Sequence, residues 1–336
     1  MRVQAESMRV SETRSDNSSK KGLRLLLQRL LRVREMTLLL LVGGCGILFS
    51  LTVPNFGSLG NFLSISDSLV FDAMITTGMT IALVSGGFDL SVGSVFASSG
   101  VIVAVAMVGG LSMWLSIVIA LLTAAAWGLL NGFVITKIGV NPLLTTLATM
   151  GMARGSVYIV TEGRVVTGFP DEFTAPGQAV LGGVSVLVLI AVLVLIVADV
   201  LLRKSAFLRQ LYYIGSNERA ARVSGINVER ARIGVYLTTA LLAGAAGVLS
   251  TSKFSAAIPL MGTGAELKAI AAAVIGGASL YGGEGTVLGG ALGLIFLALI
   301  QSVLVLLNIS VYWQGFIAGA VLLVAVSLDV LVHRRS

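Results

Sequence analysis

The sequence has little charge. Only 12% of its 336 residues are Asp, Glu, Lys or Arg, about half the ~25% typical of soluble domains, whereas 56% are hydrophobic. A soluble globule needs a charged shell that this chain does not have. The composition therefore excludes a soluble enzyme and a disordered protein, and it predicts a polytopic membrane protein. With 40 glycines and only 7% aromatic residues, it favours closely packed helices over an outer-membrane barrel with aromatic girdles.

Cysteine and histidine are nearly absent: Cys45 and His333 are single residues of their type. They allow no disulfide within the chain and no zinc site built from histidine and cysteine, so we expect no metal and no cofactor. His333 lies in a basic tail, which argues against a Ser-His-Asp triad. The apolar run before Cys45 is too short for a signal peptide, so we expect Cys45 within an uncleaved first span.

A phosphate-binding loop is also missing. The sequence contains no Gly-Lys dipeptide, and the Walker A motif requires one. The chain therefore does not bind ATP through such a loop.

The positive charges are concentrated in three segments. Of 23 Lys and Arg residues, nine lie in 1–34, seven lie in 203–232, and Arg334 and Arg335 end the chain. Each segment flanks an apolar run, so the positive-inside rule explains the net charge of +7 without nucleic acid. We expect all three segments in the cytoplasm, where anionic lipid headgroups attract them.

Ten apolar segments are long enough to span a membrane, each needing ~20 residues to cross ~30 Å of hydrocarbon. They are 36–53, 63–85, 93–108, 112–136, 142–161, 179–202, 233–252, 265–281, 285–307 and 311–332. An even number of spans places all basic segments on one side of the membrane. The sequence thus predicts an all-α multi-pass protein of the inner membrane with both termini cytoplasmic. Its parts are a basic tail (1–35), a transmembrane domain (36–332) that includes a cytoplasmic loop (203–232), and a short tail (333–336).

Glycines fall at or near the ends of several predicted spans. They include Gly86, Gly87, Gly93, Gly276 and Gly277. Interrupted helices often line the substrate path of transporters, but such glycines also simply end helices or let them pack closely. The strings GGFDL (86–90) and GGASL (276–280) share the pattern GG-x-x-L, a weak internal similarity that leaves a repeat open.

The loop 203–232 predicts a short helix. Asn217 is a suitable N-cap, the residues after it form helices readily, and Gly225 is a plausible stop. About two turns do not form a stable helix alone in water. The physics leaves two readings open: a solvated loop, or a helix that docks into a cleft of another protein.

Four ordered motifs carry a resemblance to a known family. They are GGFDLSVGS (86–94), VNPLLTTLATMGMARG (140–155), IGSNERAARVSGINV (214–228) and GTGAELKAIAAAVIGGASLYGGEGTVLGG (262–290). Over about 36–332 the chain resembles the membrane permease subunits of bacterial ABC importers for ribose, other monosaccharides and autoinducer-2. The departures, Phe88 and Lys268, concern the substrate rather than the architecture.

The resemblance implies a non-catalytic transport subunit that moves a ribose-type sugar or autoinducer-2 by alternating access. It also implies partners: a cytoplasmic ABC ATPase that hydrolyses ATP, a periplasmic substrate-binding protein, and a second permease subunit, identical or not. By similarity, 215–226 is the coupling helix. The residues that match its motif are Gly215, Asn217, Glu218, Ala220, Ala221 and Gly225.

Polar residues inside the predicted spans are the candidates for the translocation path, because a lipid-exposed charge costs ~2.5–3.5 kcal/mol. They are Asp72, Arg154, Glu266, Lys268, Gln301 and Asn308. Asp72 and Arg154 would equally suit a structural ion pair between helices. Glu266 and Lys268 do not share a helix face, so one could face the path while the other snorkels to the interface. Asp89 either caps the following helix or sits near the ATPase.

Two other functions are open to a polytopic membrane protein. An ion- or proton-coupled secondary transporter would work as a lone subunit driven by a gradient and would not depend on ATP. An integral membrane enzyme would need a convergent catalytic set, and the only histidine lies in the tail.

Overall fold

The computed structural model describes residues 34–310 and, beyond them, 313, 315–317, 319–321, 323–324 and 326–327. The predicted tails 1–35 and 333–336 lie outside the described residues, apart from the start of the first helix. The helices are α1 (Arg34–Thr52), α2 (Leu59–Val84), α3 (Val92–Val108), α4 (Met113–Phe133), α5 (Pro142–Thr161), α6 (Asp171–Gln178), α7 (Val186–Lys204), α8 (Ala206–Ser216), α9 (Glu218–Val223), α10 (Val228–Phe254), α11 (Ala265–Ile275) and α12 (Val287–Leu306). The described residues between 313 and 327 are also helical.

Seven of the described helices are long and apolar enough to cross a membrane: α1, α2, α4 with its π-helical extension Val134–Ile138, α5, α7, α10 and α12. Their outer faces carry exposed apolar side chains, such as Ile159 at 82% and Leu193 at 61% exposure. The prediction of an all-α polytopic membrane protein is confirmed. The number of ten spans and the cytoplasmic location of the termini stay predictions.

Two predicted spans differ from the structure. The segment 265–281 forms a helix only as far as Ile275, because Gly276 and Gly277 end it. Eleven residues rise about 16 Å, roughly half of the hydrocarbon core. The span predicted at 179–202 begins only at Val186, because Val180–Leu181 (β1) and Val184–Ser185 (β2) pair as a small antiparallel hairpin.

Helix α10 lies at the centre and packs along α2, α3 and α4. Small residues permit this close packing: a Cβ placed on Gly128 would lie 2.6 Å from the carbonyl oxygen of Tyr236, and one on Gly247 would lie 2.1 Å from that of Phe96. Helices in lipid associate by such close backbone approach. The high glycine content is therefore partly a packing requirement.

The chain between α10 and α11, residues 255–264, dips to the middle of the helix bundle. Arg154, well inside α5, donates to the carbonyl oxygens of Pro259 at 2.6 Å and Met261 at 2.8 Å. The same guanidinium reaches the carbonyl oxygen of Gly93 at 3.3 Å, beside the start of α3. The starts of helices α3 and α11 therefore lie next to each other, since a Cβ on Gly93 would lie 2.2 Å from the carbonyl oxygen of Gly262.

Candidate coupling loop and translocation path

Helix α9 begins at the cap that the sequence predicted. The side chain of Asn217 accepts a hydrogen bond from the Ala220 amide at 3.0 Å, which satisfies one of the free amides of the first turn. The helix ends at Val223, and Gly225 has a φ of +83°, a left-handed conformation that favours glycine. The predicted short helix is confirmed. Its preceding partner, α8, was not predicted.

The two faces of α9 differ. Ala221 is buried with Leu211 and Ile214 of α8. On the other side Val223 is 91% exposed, and Ala220 is exposed as well. An aliphatic side chain that contacts almost nothing in its own chain is available to a partner.

Charged residues connect α9 to the start of α10. Glu218 pairs with Arg222 at 2.9 Å and with Arg232 at 2.8 Å, and Glu229 pairs with Lys137. Partial burial would raise the pKa of Glu218, but the hydrogen bond from Arg222 and the charge of Arg232 outweigh it and hold the pKa below its usual range. Glu218 therefore stays ionised and fixes α9 against α10.

A groove of about 260 Å³ runs beside this network. Its walls come from the turn around Gly139 and Pro142 on one side and from Glu218, Arg222 and Glu229 on the other. Apolar side chains of Ile135, Val140 and Val228 share the lining with these charged residues, and the groove adjoins α9.

Gly215, the first predicted coupling residue, lies where three segments of backbone meet. A Cβ at this position would lie 2.1 Å from the carbonyl oxygen of Val84 and 2.4 Å from the amide nitrogen of Gly283. Gly86 and Gly282 also approach within this junction. At Gly215 the end of α8 thus touches both non-helical segments, 85–91 and 276–286, through backbone atoms.

A second contact links α8 to the segment after α11. The hydroxyl of Tyr212 donates to the carbonyl oxygen of Gly285 at 2.8 Å, and burial raises the pKa of this hydroxyl. A neutral donor therefore anchors α8 beside the Gly215 junction.

The predicted glycine motifs end two helices in the same way. After α2, the amide of Gly87 donates to the Ala82 carbonyl at 2.9 Å; after α11, the amide of Ala278 donates to the Ala273 carbonyl at 2.9 Å. Gly86 and Gly277 carry the positive φ values, +78° and +91°. Both are Schellman ends. The structural correspondence is shifted by one residue from the match between the two sequence strings.

The structure distinguishes the two roles predicted for Asp89, a cap of the following helix or a position near the ATPase. Its carboxylate is fully buried and accepts hydrogen bonds from the amide and hydroxyl of Ser91, at 3.0 and 2.5 Å. Asn131 donates to the same hydroxyl at 2.9 Å and accepts from Thr149 at 2.7 Å. Asp89 therefore stabilises the turn into α3 and does not lie on a partner-facing surface.

Three of the predicted path residues form one cluster. The Lys268 ammonium lies 2.6 Å from the Asp72 carboxylate and 3.4 Å from the side-chain oxygen of Gln301. They line a cavity of about 590 Å³ between α2, α11, α12 and the last helical segment. Lys268 therefore lies among the polar side chains of this cavity, and the expectation that one residue of the Glu266–Lys268 pair faces the path while the other snorkels to the interface stays a prediction.

The other three path candidates lie apart from this cluster. Glu266 accepts from the Gly264 amide at 3.2 Å and faces Gly93, so it caps the start of α11. Arg154 holds carbonyl oxygens and forms no ion pair with Asp72. Asn308 follows the end of α12 in a left-handed conformation, with a φ of +55°.

A second ion pair, which the sequence did not predict, joins α2 to α10. Lys253, at the end of α10, is 3.1 Å from Asp67. Asp67 was visible as a charge within a predicted span, and the rule that intramembrane charges need partners could have selected it.

Comparison with known proteins yields a consistent set of similarities. The profile of the family described as branched-chain amino acid transport system / permease component matches residues 61–326. The chain is 37% identical to the ribose import permease protein RbsC of Bacillus subtilis (strain 168), over 84% of this chain and 88% of the relative. It is 38% identical to the L-arabinose transport system permease protein AraH of Escherichia coli (strain K12), over 82% and 84%. No solved structure matches the chain.

Proposed function

The chain belongs to the family of permease components of branched-chain amino acid transport systems, and from this premise we propose that it is the permease subunit of an ABC importer for a monosaccharide. It is a multi-pass protein of the inner membrane. Support for the sugar comes from the relatives, which are named as ribose and L-arabinose permeases. Autoinducer-2 remains an alternative sugar-like substrate.

The partners follow from this role. A cytoplasmic ABC ATPase supplies the energy, a periplasmic protein delivers the substrate, and a second permease subunit completes the path. The domain 36–332 carries transport, while the tails 1–35 and 333–336 and the loop 203–232 lie in the cytoplasm. The chain itself is not an enzyme.

The observation that carries the coupling role is the Gly215 junction. Helix α9 presents Val223 to a partner, and α8 leads from α9 to the backbone of both interrupted segments. A rigid displacement of α8–α9 by the ATPase would therefore move the end of α2 and the segment 276–286 together. Interfaces of this kind switch between discrete arrangements rather than deform continuously.

The path candidates divide by role under this proposal. Asp72, Lys268 and Gln301 line the cavity, whereas Arg154 and Glu266 position the start of α3 at Gly93 and the non-helical backbone around Gly262. Gly86, Gly87, Gly276 and Gly277 supply the helix ends that the path requires. Asn308 is proposed only as a residue at the end of the path.

The test of this function is co-purification with the ABC ATPase expressed alongside the chain, together with uptake of labelled ribose and L-arabinose. We expect Val223→Asp to abolish co-purification and uptake while the protein still inserts into the membrane. Val223→Thr, of similar shape, is the matched variant that keeps both. Val180→Asp places the same charge on an exposed valine of the β1–β2 hairpin and should keep co-purification.

A secondary transporter would give the opposite pattern. Uptake would then persist in cells depleted of ATP and would be insensitive to Val223→Asp. That result would reject both the ABC assignment and the role of α9.

A further inference from the structure

The cavity beside Lys268 has the size and character of a small-molecule site. Its volume of about 590 Å³ falls within the ~300–1,000 Å³ typical of ligand pockets. Leu267, Leu297 and Ile300 contribute apolar walls. The few polar groups converge on one point, which is the usual arrangement for fixing the orientation of a ligand.

The polar groups retain hydrogen-bonding capacity after pairing with each other. Lys268 has three N–H donors and engages two partners, Asp72 and Gln301. A carboxylate has about four acceptor positions, and the Gln301 amide has two donors of its own. Donors and acceptors therefore alternate around the cluster, which complements the adjacent hydroxyl groups of a sugar.

The ion pair opens to the cavity rather than being sealed in protein. The side chains of Asp72 and Lys268 are 23% and 27% exposed, and both line the cavity. Two charges within spans are costly, and a buried pair adds little stability over apolar residues of similar volume. A contribution to stability therefore does not explain why Asp72 and Lys268 form an ion pair at this position.

The closed ion pair between Asp72 and Lys268 favours a neutral ligand over a zwitterionic one. At 2.6 Å the ammonium and the carboxylate neutralise each other, so the cavity offers no free charge. A zwitterionic amino acid would have to separate the pair to bind both of its own charges. A neutral polyhydroxylated solute binds to the outer lone pairs and N–H groups while the pair stays closed.

We propose that Asp72, Lys268 and Gln301 form a binding station for a neutral polyhydroxylated solute inside the permease, and that this station sets the preference between sugars after delivery. This inference rests on the proposed function and adds a site to it. The chain offers a matched control, because Asp67, also on α2, forms a second ion pair with Lys253 of α10, and neither residue lines the cavity.

The first test compares double variants in the complete importer, reconstituted with its ATPase and binding protein. Asp72→Leu with Lys268→Met removes the cavity pair, and Asp67→Leu with Lys253→Met removes the control pair. Initial uptake of labelled ribose and L-arabinose is measured relative to ATP hydrolysed. We expect the cavity double variant to lower sugar uptake per ATP about tenfold, as for the loss of about 1.4 kcal/mol of hydrogen bonding. The control double variant, which replaces both partners of a pair outside the cavity by apolar residues, should stay within about twofold.

Gln301→Leu tests the preference. It removes one polar partner without touching the ion pair, so we expect the ratio of ribose to L-arabinose uptake to change by about fivefold or more. A residue with only a structural role would lower both rates equally. An unchanged ratio would overturn the assignment of Gln301.

A second readout detects occupancy. In a Cys45→Ser background, Thr263→Cys places a thiol on the cavity wall, and Lys204→Cys places one on an exposed residue at the end of α7 that does not line the cavity. Ribose delivered by its binding protein should slow maleimide labelling at 263 and leave labelling at 204 unchanged. Leucine should protect neither position.

The possible outcomes distinguish a failure of the proposed binding station from a failure of the proposed function. If the wild-type importer takes up ribose or L-arabinose but the two double variants behave alike and no protection occurs at 263, the station is wrong and the function stands. If leucine protects in place of ribose, the ligand class is wrong. If the wild-type importer takes up neither sugar, the proposed function fails first.

Discussion

The amide of Gly283 donates a hydrogen bond of 2.9 Å to the carbonyl oxygen of Val84. This bond joins the end of α2 to the segment that follows α11, and the Cα of Gly215 packs against it. Three segments far apart in sequence therefore meet here by direct backbone approach, in addition to the side-chain packing of Ile214 with Val84. The junction lies directly before α9, the helix that we propose to contact the ATPase.

Gly215→Ala should disrupt this junction. The new methyl group would meet Val84 at 2.1 Å and Gly283 at 2.4 Å, and overpacking of this kind costs about 1–3 kcal/mol. We expect strongly reduced uptake and a lower midpoint of thermal unfolding in detergent. Gly234→Ala is the control, because a Cβ there meets nothing within 4 Å and alanine favours a helix. Normal uptake by Gly215→Ala would show that the contact transmits nothing.

Local and non-local features of this region differed in how far the sequence predicted them. The cap at Asn217 and the stop at Gly225 depend on neighbouring residues, so the sequence predicted both. The packing of Gly215 against Val84 and Gly283 depends on the tertiary fold, and no local pattern contains it. The family resemblance selected Gly215, but the reason for glycine there came only from the structure.

The helix boundaries within the predicted spans were also only partly predictable from local sequence. Hydropathy predicted 265–281 as one membrane segment because its residues are apolar, but helix α11 ends at Ile275. The string match between 86–90 and 276–280 pointed to a real correspondence of helix ends, although the residues with positive φ, Gly86 and Gly277, differ by one position within the strings. The sequence similarity located the two equivalent helix ends, but only their hydrogen bonds show which residues correspond.

The path candidates were partly predictable for a physical reason. Charges within spans need partners, so Asp72 and Lys268 could be selected by type. Their pairing could not be predicted, because Asp72 lies on α2 and Lys268 on α11. Arg154 was expected to reach an acidic partner or the path, but carbonyl oxygens of the segment 255–264 satisfy it.

Asn217→Ala should weaken coupling without removing the protein from the membrane. Loss of the bond to Ala220 leaves an amide of the first turn without its cap and costs about 1 kcal/mol, which is large for a six-residue helix. We expect fewer sugar molecules transported per ATP hydrolysed. Asn217→Ser retains a capping oxygen and should restore most of the ratio. If serine is no better than alanine, capping is not the role of Asn217.

Asn131→Ala should destabilise the start of α3. The Asn131 side chain is fully buried and bridges Ser91 and Thr149. Its removal leaves the Ser91 hydroxyl with one partner fewer and opens a void, for an expected cost of about 1–3 kcal/mol. Thermal unfolding in detergent measures this loss. Ser64→Ala, which removes an exposed hydroxyl bonded within its own helix, should leave the midpoint nearly unchanged, and an equal shift in both variants would contradict the bridging role.

Arg154→Met should release the segment 255–264. The guanidinium holds two of its carbonyl oxygens, at Pro259 and Met261, and hydrogen bonds from charged donors contribute about 1.5–3 kcal/mol each. We expect a thiol at Met261→Cys, in a Cys45→Ser background, to react faster with maleimide when Arg154 is replaced.

Arg154→Lys discriminates between charge and geometry at this site. A lysine keeps the positive charge but cannot present a planar fork to both carbonyl oxygens, so labelling should rise to an intermediate rate. Arg164→Met is the control, because Arg164 is 82% exposed and lies 3.6 Å from Glu162, and exposed pairs contribute only about 0–1 kcal/mol. Equal labelling in wild type and Arg154→Met would mean that other contacts hold the segment, and Arg154 would then have to be reconsidered as a residue of the path itself.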